Sequence, residues 1–241
     1  MRGARGNALS ILKLFFLVPG TSYLAPFMLI CAIDTSGREG SLALAEGDDR
    51  SFEVLHRAPI AGGTYSAQLI PTLAAALTET GRQKSEIELF VVASGPGSFT
   101  GLRVGLSTVK ALAEVLHVPV VAISVLEAIA FAAKRDGVVI SALDAQRNEA
   151  YIGEYEAADN GSIRVLHEAL TTVPDFLTWL SARNPVPVTY TPDASIETRV
   201  RESGSSVEQI ARPAADLYAR LGLQKFGSGD VASIETLDAN Y

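Results

Sequence analysis

The chain has 241 residues, 48% hydrophobic and 20% charged, enough apolar material for one large domain or two small ones. Its 20 Lys and Arg against 27 Asp and Glu leave a net charge of −7, which excludes the main phosphate-binding surface of a nucleic-acid complex. The single cysteine, Cys31, excludes a disulfide framework and a cysteine zinc site and fits a reducing cytoplasm, the expected location.

The segment 1–27 places Arg2 and Arg5 before the apolar run ILKLFFLV. Lys13 interrupts that run, no Ala-x-Ala site follows it, and it is too short to span a bilayer, so neither an export signal nor a membrane anchor is expected. Residues 1–27 are expected to be a non-native or upstream extension, poorly ordered, with Met28 the functional start. From there the pattern predicts strands over 28–34, 41–47 and 51–57, separated by turns at Ser36–Gly40 and Asp48–Arg50: an antiparallel meander. A helix follows over 66–79, with Leu69, Leu73, Ala76 and Leu77 on one face and Pro71 either kinking it or marking its first turn. A strand over 87–94, a glycine-rich loop, a long helix to about Leu116, a strand over 119–124 and a helix over 125–135 read as parallel strands with crossover helices.

The second half restarts with strands over 137–145, 150–157 and 162–169, turning at Gln146–Glu149 and Asp159–Gly161. A helix over 174–182, a strand over 186–191 and a last helix over 212–222 complete it. Meander followed by helices, twice, predicts a first lobe over 28–135 and a smaller second lobe over 136–241.

The loop SGPGSFTGLR raises the first chemical question. Gly95, Gly97 and Gly101 follow a strand and open a helix, so their amides and the helix dipole could bind an anion. Leu102 stands where a Walker loop carries its lysine, and the spacing is not the dinucleotide fingerprint. A structural turn is the alternative. The helix it opens carries one narrow polar stripe, Arg103, Ser107, Lys110 and Glu114, on an otherwise apolar or small circumference. That pattern predicts burial on two sides, against its own sheet and against either another helix or another subunit.

Asp34, at the end of the first strand beside Thr35 and Ser36, could hold a magnesium–phosphate unit or simply cap its turn. DAQRNEAY puts Asp144, Arg147 and Glu149 into a charged hairpin turn. His56, His117 and His167 form no His-x-x-x-His pair, which disfavours a local metal motif.

Together, AIDTSGREGSLAL, SGPGSFTGLRVGLSTVKALA and DAQRNEAY resemble the TsaB (YeaZ) family, subunits of the bacterial tRNA threonylcarbamoyladenosine machinery; the likeness runs from Met28 and weakens after residue 157. The resemblance implies an α/β actin/hexokinase/Hsp70-like fold (ASKHA, ribonuclease H-like), with duplicated mixed-sheet lobes and the second reduced. It implies a non-catalytic scaffold that pairs with a TsaD-like paralogue, with a TsaE-like ATPase joining, for threonylcarbamoyl transfer to the tRNA adenosine beside the anticodon. It implies no catalytic or metal-binding residue here, no cofactor required by this chain, ATP and a metal in the partner subunits, only indirect contact with tRNA, and a homodimer through the same helices when alone. The pairing surface carried over comprises Leu69, Leu73, Leu102, Arg103, Leu106, Val109, Lys110 and Ala113; Asp34, Thr35, Gly95 and Gly97 would form a residual anion site. An independent ATP-dependent kinase or ATPase of the same fold is the alternative; a metallopeptidase lacks its zinc motif. Two departures stand out: Tyr65-Ser66 replaces the usual His-Ser/Thr pair, and the usual Pro-x-Tyr near the end reads Ala239-Asn240-Tyr241, with nothing following it.

Overall fold

The computed structural model describes residues 27–48, 50–158 and 161–239. All of the expected extension except Phe27, Asp49 and Asp159–Asn160 of two expected turns, and the terminal Asn240-Tyr241 lie outside the described residues.

Two five-stranded sheets carry the chain. In the first, β1 (Met28–Asp34), β2 (Glu39–Gly47) and β3 (Phe52–Ala61) form the antiparallel meander, and β4 (Ile87–Gly95) and β5 (Val120–Ser124) extend it in parallel beyond β1. The helices of this half are α1 (Tyr65–Glu79), α2 (Phe99–Leu116) and α3 (Val125–Ala132). The second half repeats the plan with β6 (Gly137–Gln146), β7 (Glu149–Ala157), β8 (Ile163–Thr172), α4 (Val173–Ser181), β9 (Thr189–Thr191), α5 (Ala194–Glu202), β10 (Val207–Gln209) and α6 (Ala215–Gly227). The sheet orders β3-β2-β1-β4-β5 and β8-β7-β6-β9-β10 are the same path drawn twice, the duplicated actin/hexokinase/Hsp70-like arrangement. The second copy is the reduced one, its β9 and β10 only three residues each.

The duplication is also written in an unexpected place. Val54-Leu55-His56 on β3 and Val165-Leu166-His167 on β8 occupy matching edge strands, and in both the ladder skips the central leucine. A bulge at the same point of each edge twists the strand away from flat edge-to-edge pairing.

Helices and sheets stack in layers around three cores. α1 and α2 cover the outer face of the first sheet through Leu69, Leu73, Leu102, Leu106 and Val109; α4 and α5 cover the outer face of the second through Phe176, Leu180, Ile196 and Val200. Between the sheets, the last helix of each half crosses over: α3 packs on β6 and β7, and α6 packs on β1, β2 and β4. Gly222 permits that approach, since a Cβ there would stand 2.4 Å from Val91 Cγ2 on β4. The chain beyond residue 214 therefore packs on the first sheet, although it follows the second in sequence. Ala232 also bridges Val120, and Leu237 joins the core under α1 and α2.

Most expected elements lie where periodicity places them, with shifted ends. Pro71 sits inside α1, beyond its first turn, and the strand expected over 186–191 shrinks to Thr189–Thr191. α5 and β10 are additions. α5 buries only Ile196 and Val200, too thin a stripe for a periodicity signal. Cys31 is fully buried in β1, where burial pushes its thiol up to about 12, consistent with core filling. Among the described residues no helix is long and apolar enough to cross a membrane.

Candidate functional site

The glycine loop and the β1–β2 turn are built against each other. Asp34, 2% exposed, accepts a hydrogen bond from the Ser36 amide at 2.8 Å. Thr35 Oγ1 donates to the Gly101 carbonyl at 2.8 Å, and the Ser98 amide donates to the Ser36 carbonyl at 2.7 Å. Ser98 caps α2, its Oγ accepting from the Gly101 amide at 3.2 Å. The glycines make this closeness possible. A Cβ on Gly97 would lie 2.4 Å from the Ser36 carbonyl oxygen, and one on Gly101 only 2.1 Å from that of Thr35.

The residues expected to cradle an anion thus come together with the side chains of Asp34 and Thr35 already engaged. Thr35 is committed to Gly101, Asp34 to Ser36, the Ser98 and Gly101 amides to partners within the chain, and Ser36 fills the space beside Gly97. The structural-turn alternative accounts for each of these contacts without a ligand. Burial pushes the Asp34 carboxyl up, offset in part by its bonds to Ser36 and by the Arg212 guanidinium; this environment favours the neutral acid more than a metal–phosphate ligand would want. Among the described residues no group of three or more His, Cys, Asp or Glu side chains is placed to hold a metal ion.

The second half carries a counterpart of this turn. Asp144 Oδ1 accepts from the Gln146 amide at 2.7 Å, as Asp34 does from Ser36. Gln146, Arg147 and Asn148 all take left-handed backbone, φ 67°, 52° and 66°. Ser195 Oγ donates to Asp144 Oδ2 and Arg199 to Asn148 Oδ1, each at 2.8 Å. The charged hairpin turn is real, and α5 braces it.

The pairing residues divide differently from the expectation. Leu69, Leu73, Leu102, Leu106, Val109 and Ala113 are all buried against the chain's own first sheet. They are apolar because the sheet beneath is apolar, and in the chain by itself they cover it. Of the eight, Arg103 alone is exposed, stacked 3.8 Å over the Phe99 ring; Lys110 is partly buried and donates to the Leu237 carbonyl at 2.8 Å. The helices turn outward Ala67, Gln68, Ile70, Pro71, Ala74 and Ala75 from α1 and Phe99, Ser107, Ala111 and Val115 from α2, with Arg103 and Glu114 of α2 exposed beside them. Ile70 is 50% exposed, Phe99 52% and Val115 77%. α1 has no charged side chain before Glu79. On α1 the signal that could have found this face is missing charge at outward helical positions, not added hydrophobicity.

Residues 59–224 match the family model described as "TsaD: tRNA N6-adenosine threonylcarbamoyltransferase". The tRNA threonylcarbamoyladenosine biosynthesis protein TsaB of Bacillus subtilis is 28% identical over 223 residues, spanning 89% of this chain and 93% of that one. The chain belongs to this family, in its TsaB (YeaZ) branch. TsaB of Escherichia coli is 32% identical over 139 residues, 56% of this chain and 58% of that protein. YeaZ from Pseudomonas aeruginosa superposes with a TM-score of 0.73 at 24% identity, covering 89% of this chain and 99% of the other, and shows the same fold. Where the TsaB family usually has histidine, Tyr65 starts α1 and donates from its hydroxyl to the Gly37 carbonyl at 2.8 Å, so here the position ties the helix to the β1–β2 turn.

Proposed function

We propose that the chain takes part in tRNA threonylcarbamoyladenosine biosynthesis as a non-catalytic subunit. It pairs with a TsaD-like paralogue through the outer face of α1 and α2, a TsaE-like ATPase joins the pair, and transfer to the tRNA adenosine beside the anticodon happens in the partner. The setting is the cytoplasm, the chain needs no cofactor of its own, and its contact with tRNA is indirect. The observation that carries this reading is the outward face of α1, uncharged before Glu79, beside the exposed Phe99 and Val115 of α2. The alanines, the proline and the three exposed apolar side chains can be buried without stripping water from ions, with Arg103 and Glu114 of α2 as the charged part of the surface, and small residues let a second helix pair approach closely. The same face serves a second copy of the chain when no paralogue is present.

The test is reconstitution with the TsaD-like and TsaE-like proteins and an enzyme that makes the threonylcarbamoyl adenylate. Transfer is expected only with this chain present; full transfer without it sinks the proposal. Ala74→Arg or Ala111→Arg places a charge in the middle of the face and is expected to weaken pairing about 100-fold. Because both positions are exposed, the melting temperature should stay within about 2 °C. Undiminished pairing in both variants assigns the interface elsewhere.

A further inference from the structure

We infer that Arg212, in the linker after the second sheet, is a positioning residue for the pairing surface: it fixes the β1–β2 turn from which both pairing helices hang. This inference rests on the pairing face proposed above. The turn and its flank, residues 34–41, anchor three helices. α1 reaches it through the Tyr65 hydroxyl on Gly37, and α2 through the Ser98 amide on the Ser36 carbonyl and the Gly101 carbonyl on the Thr35 hydroxyl. α6 reaches it through the Ala215 amide, which donates to Ser41 Oγ at 2.9 Å.

Arg212 precedes Ala215 by three residues and grips the same turn. Its Nη2 donates to Ser36 Oγ at 3.2 Å, and it lies so close over Gly37 that a Cβ there would stand 3.0 Å from Nε. The other end of the linker belongs to the second lobe, because the Ile210 amide donates to the Thr191 carbonyl at 3.0 Å. Residues 210–215 thus span from β9 to the β1–β2 turn. Ser36 receives both signals: its hydroxyl takes the arginine and its carbonyl takes the first amide of the α2 cap. A shift of the second lobe must therefore either carry Ser36 with it or break the guanidinium bond, and either event loosens the start of α2. Buried polar groups surround the guanidinium: the Asp34 carboxyl feels its charge, and the Tyr218 hydroxyl, 0% exposed, lies in the same cluster. The pairing surface is consequently conditional on how the two lobes sit.

Hydrogen exchange on the full chain alone tests this without any partner. In Arg212→Gln the amides of Ser98, Gly101 and Leu102 should exchange about tenfold faster, the factor carried by one lost charge-assisted hydrogen bond, while β4 and β7 keep wild-type protection. Arg212→Lys should return most of the protection, since an ammonium can still donate to Ser36. Arg57→Gln removes a second arginine contact to α6, the 2.9 Å pair with Asp216, and should leave residues 98–102 unchanged. Unchanged exchange at those amides in Arg212→Gln overturns the inference. So does a uniform loss across β4 and β7, which would make Arg212 a general stabiliser. Affinity for the TsaD-like partner should fall in Arg212→Gln and recover in Arg212→Lys. If the wild-type chain fails to bind that partner while the exchange pattern holds, the pairing proposal fails and the coupling stands.

Discussion

Gly101→Ala is expected to destabilise the chain by about 3 kcal/mol, lowering the melting temperature of this 241-residue protein by about 10 °C. The added methyl would sit 2.1 Å from the Thr35 carbonyl oxygen, and that oxygen is backbone, unable to swing aside as a side-chain tip would. To relieve the overlap, the first turn of α2 must lift from β1. That lift breaks the Thr35 hydroxyl bond to the Gly101 carbonyl and disturbs the Ser98 cap. Loss of pairing should therefore accompany the loss of stability, although Gly101 is buried and touches no partner. Thermal melts together with partner titration check it; a variant that melts like the wild type shows that the loop yields where the packing says it cannot.

Lys225→Met should cost a similar amount for a different reason. Lys225 Nζ on α6 meets Glu127 Oε1 on α3 at 2.8 Å and Asp230 Oδ2 at 2.9 Å. Glu127 is 3% exposed, and around it stand Tyr155 and Glu168 from β7 and β8. Burial already pushes the Glu127 carboxyl up, and Lys225 offsets this only in part. Removing the ammonium leaves a buried carboxylate without its cation, a loss of about 3 kcal/mol at neutral pH. Glu127→Gln should cost less, since the lysine keeps Asp230. The pH dependence has a definite sign. Burial works against the Lys225 charge, but the carboxylates of Glu127 and Asp230 raise it above its ordinary value, so its contribution is present from neutral pH to about 10.4 and fades as pH rises through the higher folded value. Glu127 is also raised, so its ionisation reduces stability as pH climbs from about 4.3 through its folded value. Melting the wild type and Lys225→Met from pH 4 to 7 tests this: the variant's deficit should shrink towards acid, where Glu127 is neutral.

The first lobe was legible because its strands are long and its helices strongly patterned: β1 is buried along its whole length and reads as an unbroken apolar run. The second lobe was harder because β9 and β10 are three residues each, below the length at which alternation shows. The paired Val-Leu-His runs would have declared the duplication, but a bulge breaks the two-residue period where they occur. The pairing helices teach the sharper lesson. Periodicity identified Leu69, Leu73, Ala76 and Leu77 as one apolar face, correctly, yet such a face says only that something covers it. Here that something is the chain's own sheet, and what α1 turns outward is mostly small and uncharged. The glycine loop was ambiguous for a related reason. Glycine marks close approach of backbone to something, and the spacing does not say whether that something is a phosphate or, as here, the carbonyls of Thr35 and Ser36.

The exchange of α3 and α6 between the sheets bears on how the chain is made. While the polypeptide emerges, the first sheet can close only its outer side, with α1 and α2; its inner side waits for α6, which is translated after the whole second sheet. α3 is ready early but its seat, β6 and β7, is not. Neither half has a finished interior by itself, so the two lobes should mature together in one cooperative step once α6 has emerged, and a ribosome stalled after residue 214 would hold a nascent chain with an apolar sheet face open to chaperones.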